Sequence, residues 1–244
     1  MQPTPIIILV RPQIGENIGA AARAMWNFGL DRMRIVDPRD GWPNQKAVAM
    51  ASGAGRLLDE APIVPDVPTA LEGLDVVYAT TARPRGLTKR VVTPEQAMAE
   101  TKGHLLAGRR VGVFFGPERA GLENHEIARA NAIISVPVNP AVTSLNLAQC
   151  VLLVGYEWQR QVTETVAEQM ELAGADWASA VEIEKLAQHY EDRLDVAGYF
   201  FPETKAPGMK IVLRNMWSRL PLTRADVQIF HGLLRQMVRW KDRD

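Results

Sequence analysis

Five short apolar runs, rich in β-branched residues, punctuate the first two thirds of the chain: 6–10, 33–36, 75–79, 111–115 and 132–136. They lack the strict alternation of a half-exposed strand and read as strands covered on both faces. The stretches between them carry apolar residues at helical spacing, most clearly 17–28 and 93–106. Asn17 stands as an N-cap candidate for the first helix and Gly29 where a C′ glycine would stop it. For the second, Thr93 can cap, Pro94 fits the first turn and Gln96 holds the third capping-box position. Strands alternating with helices predict an α/β fold, a parallel sheet with helices on both faces. After Gln161 no strand pattern returns. Residues 178–196 and 222–240 read as amphipathic helices, with a shorter one opening at Pro207-Gly208. Two domains are therefore expected, 1–161 and a small helical extension over 162–244.

Composition narrows the class. The 244 residues are 47% hydrophobic and 23% charged, which suits ordinary globular domains and excludes disordered or fibrous chains. Cys150 is the single cysteine. It can form no internal disulfide and anchor no cysteine zinc site, and it points to a reducing compartment. The opening apolar run has five residues, and the longest later one, 145–156, contains Asn146 and Gln149. Neither suits a leader peptide or a membrane span, so a cytoplasmic protein is expected. The 28 basic and 28 acidic residues give a formal charge of zero, at first sight a poor match for nucleic acid. That zero is a cancellation. Residues 157–195 hold ten acids and three bases, a net −7, and residues 205–244 hold nine bases and three acids, a net +6. The basic tail is expected to face a nucleic acid and the acidic stretch to face away.

Several chemistries lose their support. Residues 14–19 follow the first strand but do not make Gly-x-Gly-x-x-Gly, and neither a Walker A loop nor Gly-x-Ser-x-Gly occurs. The four histidines show no metal-ligand spacing. Three segments stand out instead. Residues 17–29 place Arg23 on an otherwise apolar, small-residue helix, where an ordinary snorkelling arginine is the plain alternative. Residues 114–122 take a strand into Gly116-Pro117-Glu118 and turn at Gly121, at the strand end where open α/β sheets bind ligands. There Gly116 allows close backbone approach and Glu118 projects into the crevice; an ordinary turn with an exposed Glu118–Arg119 pair is the competing reading. Residues 134–149 run from strand through a proline-bracketed loop into an apolar helix, with Thr143 or Ser144 as cap candidates. Asn146 in that setting must be hydrogen-bonded, to ligand or to backbone.

In order and spacing the three segments resemble the three motifs of the SpoU (TrmH-like) branch of the SPOUT RNA methyltransferases, over about residues 5–160. The resemblance implies a C-terminal trefoil knot whose loops hold S-adenosylmethionine, a feature no sequence pattern could supply. Carried over by position, Thr80, Thr81, Ala82, Gly116, Glu118, Val136, Thr143, Ser144 and Leu145 would bind the cofactor. Arg23, Asn17, Glu118, Ser144 and Asn146 would make the catalytic site. Being permanently charged, Arg23 suits clamping a phosphate and orienting a 2′-hydroxyl better than acting as a base. The branch further implies a homodimer with Arg23 contributed across the interface, no metal, and a tRNA substrate, specifically the pyrimidine nucleotide at position 32 of the anticodon loop. Ribosomal RNA, another tRNA position and a non-catalytic RNA-binding module are the alternatives. Arg83, Arg85, Lys89 and Arg90 after the third strand, with Lys210, Arg214, Arg224 and Arg235 in the tail, are the candidate RNA-binding residues. A solvated loop and a dimer-supporting tail are the plainer readings of those two clusters. Cys150 reads as a small buried hydrophobe and not a nucleophile.

Overall fold

The computed structural model describes residues 3–82 and 86–241. The chain divides into two compact units, one ending at Thr165 and one beginning at Val166.

The first unit alternates strands and helices in the order β1 Ile6–Val10, α1 Gly15–Asn27, β2 Met33–Val36, α2 Gln45–Ala51, α3 Gly55–Asp59, β3 Ile63–Val64, α4 Val67–Ala70, β4 Val76–Thr80, β5 Arg90–Val92, α5 Pro94–Leu106, β6 Val111–Phe115, α6 Asn124–Ile127, β7 Ala132–Ile134 and α7 Leu147–Val162. The strands form one seven-stranded parallel sheet ordered β3-β2-β1-β6-β4-β7-β5. All five expected strands are present. The two additions, β3 and β5, are short edge strands that are largely exposed and so lack the buried apolar run that marks the others.

The continuous apolar runs follow from burial on both sides. In β1, Ile7 and Leu9 join the core beneath α1, α5 and α7, while Ile6, Ile8 and Val10 join the core beneath α4 and α6. Each fully buried Ile or Leu contributes about 1.5–3 kcal/mol, so this strand pins the centre of the sheet. Helix α1 lies against α2 so closely that a Cβ on Gly19 would stand 2.0 Å from the Ala47 carbonyl oxygen. The small residues of the first motif serve that approach. Gly29 ends α1 at φ +67° as expected, and Thr93 caps α5 by accepting from the Gln96 amide.

The second unit holds α8 Ala180–Val196, α9 Ala206–Ser218 and α10 Arg224–Lys241. Its core gathers Leu186, Ala187, Trp217 and Val227, with Tyr190 and Phe230 against the Trp217 ring at centroid distances of 5.0 and 5.4 Å. No described helix is long and apolar enough to cross a membrane.

Candidate active site

The C-terminal ends of β4, β6 and β7 open into one cleft with a cavity volume of about 150 Å3. It is lined by Thr80, Thr81 and Ala82 after β4, by Gly116, Pro117, Glu118 and Gly121 after β6, by Val136 and Val138 after β7, and by Thr143, Ser144 and Leu145 ahead of α7. Parallel strands all release their loops at this end, which is why ligand sites collect there. The nine residues expected to hold a cofactor all stand on its wall. Phe115, Ile134, Leu147 and Cys150, none of them among the expected site residues, complete an apolar floor.

The three motifs meet through one chain of hydrogen bonds. Glu118 accepts from the Gln13 amide at 2.8 Å, the Ile14 amide at 3.2 Å and the Asn17 side-chain nitrogen at 2.9 Å. Asn17 in turn accepts from the Asn146 side-chain nitrogen at 2.9 Å. Asn146 then accepts from the Ala148 and Gln149 amides at 2.9 and 3.2 Å. The carboxylate thus lies at the start of α1, where a helix end favours negative charge, and the relay ends as the cap of α7.

Two expectations are corrected by this geometry. Helix α1 begins at Gly15 with Ile14 at its N-cap, so Asn17 lies inside the first turn and is free to reach Glu118. Helix α7 is capped by Asn146 and not by Thr143 or Ser144, which stand exposed in the cleft wall. The reason given for Gly116 also changes. A Cβ there would come within 2.2 Å of the Leu122 amide nitrogen and 2.6 Å of the Gly121 carbonyl carbon, so the glycine is required by the loop's own fold. Gly121, at φ +66°, closes that loop by donating its amide to the Pro117 carbonyl at 2.8 Å.

Residues 4–156 match the model of the SpoU rRNA Methylase family. The chain belongs to the SpoU methylase family. The seven-stranded parallel sheet flanked by helices is the architecture expected for it. A crystal structure of TrmJ from Z. mobilis ZM4 superposes with a TM-score of 0.83 at 48% identity, covering 96% of this chain and 99% of that one. The tRNA (cytidine/uridine/adenosine-2′-O-)-methyltransferase TrmJ of Pseudomonas aeruginosa strain UCBPP-PA14 is 34% identical over 238 residues, 94% of this chain and 92% of its own. TrmJ of Escherichia coli strain K12, a tRNA (cytidine/uridine-2′-O-)-methyltransferase, is 30% identical over 230 residues.

Within this SpoU chain the remaining candidates scatter. Arg23 is exposed on α1, outside the cleft lining, with no ion-pair partner among the described residues. Cys150 lines the cleft beside Thr80, and burial pushes its thiol up to about 11, so it stays protonated. Arg83 and Arg85 lie outside the described residues. Lys89 donates to the Ala128 and Ala130 carbonyls, and Arg90 pairs with Glu100 at 2.6 Å.

In the helical unit, Arg214 forks onto Glu191 at 2.6 and 2.9 Å and also pairs with Glu184. Lys210 meets Asp195 at 3.1 Å, and Arg224 meets Glu182 at 3.2 Å and Asp176 at 3.5 Å. Arg235 is exposed and donates to the His231 carbonyl. Charges segregated along the sequence are therefore interleaved in space at these positions. The expected separation of a basic tail from an acidic stretch is corrected for Lys210, Arg214 and Arg224.

Proposed function

We propose that this chain transfers a methyl group from S-adenosylmethionine to a ribose 2′-hydroxyl of tRNA, with the pyrimidine nucleotide at position 32 of the anticodon loop as its target. The observation that carries the reading is the relay from Glu118 through Asn17 to Asn146, which joins all three motifs beside a single cleft. The relatives that cover nearly the whole chain carry names for tRNA 2′-O-methylation.

The cleft fits the cofactor. Main chain and small side chains at Thr80–Ala82, Gly116 and Thr143–Leu145 suit a methionine tail and ribose, and the apolar floor of Phe115, Ile134, Val136 and Leu147 suits adenine. That cofactor supplies a methyl group already activated by a positive sulfur, so the chain's task is position and proton handling. Glu118 and Asn17 fix the start of α1, and Asn146 fixes the start of α7 against it. Ser144, exposed in the wall, faces the hydroxyl to be methylated. Arg23 clamps the adjoining phosphate and orients the 2′-hydroxyl.

Arg23 sits six residues beyond Asn17 on α1 and away from the lining, so its reach to the ribose comes from a second copy. Trp26 and, on α7, Leu152 and Tyr156 are exposed at 49%, 41% and 48%, an apolar margin that suits the homodimer face. Arg83, Arg85 and Arg235 supply phosphate contacts. No metal enters the scheme, and the enzyme works where tRNA matures, in the cytoplasm. Mass-spectrometric mapping of 2′-O-methyl groups on total tRNA, after incubation with protein and cofactor, tests the reading. A new methyl group at position 32 is expected, and its absence there overturns the assignment. Arg23→Ala should remove transfer at saturating tRNA and cofactor; wild-type turnover would refute the role given to Arg23.

A further inference from the structure

Two of the basic residues that suggested an RNA grip hold a different part of the molecule. Lys89 Nζ donates to the carbonyls of Ala128 at 2.9 Å and Ala130 at 2.5 Å, in the turn that leads from α6 into β7. Arg90 opens β5 and reaches across to Glu100 on α5 at 2.6 Å. The same Glu100 carboxylate accepts from Gln96 at 3.0 Å and from the buried Tyr78 hydroxyl at 2.8 Å. Those three donors hold the Glu100 carboxyl down at about 2 and keep it ionised. Arg90 is thus ion-paired to a carboxylate, and the Lys89 ammonium, though still charged, is held against two main-chain carbonyls, so both head groups are already engaged within the chain.

Their position in the sheet agrees. Register places Arg90 beside Ala132 and Tyr78, whereas the cleft-lining Thr80 is level with Ile134 and Val92. Two residues along a strand are about 6.6 Å. Arg90 thus lies below the cleft floor and not at its mouth. Strand β7 separates β4 from β5, so the chain leaving Thr80 must cross β7 before it can pair on the far side. Thr81 is tied to that crossing by its amide, which donates to the Ile134 carbonyl at 3.2 Å, and the Ser135 amide donates to the Val92 carbonyl at 3.0 Å. Strands β4 and β7 pair directly, the three-residue edge strand β5 holds the outer side of β7, and the Arg90–Glu100–Tyr78 bonds tie β5 and α5 back to β4.

We infer that Lys89 and Arg90, with Glu100 and Tyr78, are positioning residues for the cofactor cleft: they lock β5 to α5 and to the α6–β7 turn, and so fix Thr80, Thr81, Ala82 and Val136. The inference rests on the reading of the cleft as the S-adenosylmethionine site.

The test uses the full chain with Lys89→Met, Lys89→Arg and Arg90→Met. Steady-state kinetics with cofactor and tRNA varied separately are combined with tRNA affinity across a salt series. The KM for S-adenosylmethionine should rise at least about fivefold in both Met variants, while kcat at saturating cofactor stays within about twofold. Lys89→Arg, which keeps a donor for the two carbonyls, should recover most of the loss. The slope of log affinity for tRNA against log salt should match wild type. An unchanged cofactor KM, with a salt slope reduced by about 0.7–0.9 per residue removed, would overturn the inference and make these residues phosphate contacts.

Hydrogen exchange on the same proteins without cofactor separates this from the functional reading. Faster exchange at the Thr81 and Ser135 amides in the Met variants supports the lock even if wild type methylates nothing. Exchange unchanged from wild type refutes the lock whatever the activity.

Discussion

At the scale of single residues, chemistry and packing demands are separable in this cleft. Gly116 is held by its neighbours, since a methyl group there meets main-chain atoms of Gly121 and Leu122 that have nowhere to retreat. Gly116→Ala should cost about 1–3 kcal/mol or more as overpacking, read as a lower Tm, together with weakened cofactor binding in calorimetry. Unchanged stability would show that the loop can re-form. Cys150 carries a pH prediction. Burial disfavours the thiolate and lifts the thiol to about 11, so roughly one molecule in a thousand is reactive at pH 8. Alkylation by iodoacetamide should climb about tenfold per pH unit from pH 7 to about pH 10, in the native state, without levelling near the ordinary thiol range. A plateau near pH 9 would place Cys150 in water.

At the scale of elements, the starts of α1 and α7 are joined by side chains from the three motifs. Asn146 has two tasks, accepting from the Ala148 and Gln149 amides and donating to Asn17. Substitution separates them. Asn146→Ala loses both, with about 0.5–2 kcal/mol from the missing cap. Asn146→Asp keeps the acceptor and the favourable charge at the helix start but cannot donate. Its Tm should stay near wild type while methyl transfer falls at least tenfold. Equal activity in Asn146→Asp and wild type would mean that the link to Asn17 is idle. Much of this element scale was legible in sequence: the Thr93 cap, the Gly29 stop and the five buried strands each follow from local rules. The cap of α7 was not, because Thr143, Ser144 and Asn146 are all good N-caps and only the path of the loop selects among them. Strands β3 and β5 escaped because they are short, largely exposed edge strands outside any buried apolar run, whereas the equally short β7 is buried throughout.

At the scale of the whole molecule, the chain is two compact units, and the expected helical extension has a core of its own around Trp217. Removing residues 166–244 should leave a first unit that unfolds cooperatively and binds S-adenosylmethionine with near wild-type affinity, while methylation of whole tRNA drops at least tenfold. Full activity of the truncated protein would assign the tail no part in tRNA recognition. Arg214 belongs to that unit's stability. Its guanidinium holds the buried Glu191 carboxylate, so Arg214→Met should lower the Tm of the helical unit without changing the salt slope of tRNA binding. A reduced slope with an unchanged Tm would return Arg214 to the RNA-binding face.

The sequence by itself determined the class of sheet and the three motifs, because strand burial, helix spacing and motif order are local properties of the chain; nine of the residues that line the cleft came from the family resemblance those motifs carry. It could not decide what each charge does. Lys89, Arg90, Lys210, Arg214 and Arg224 look alike in a string of residues, and a positive count suggests a phosphate partner for all of them. The tertiary structure brings carboxylates from distant positions to Arg90, Lys210, Arg214 and Arg224, and main-chain carbonyls to Lys89, and engages their head groups there. Arg23, with no such partner among the described residues, keeps its charge for use outside the fold. The difference is one of long-range contact, since ion pairing depends on distances that only the folded chain sets.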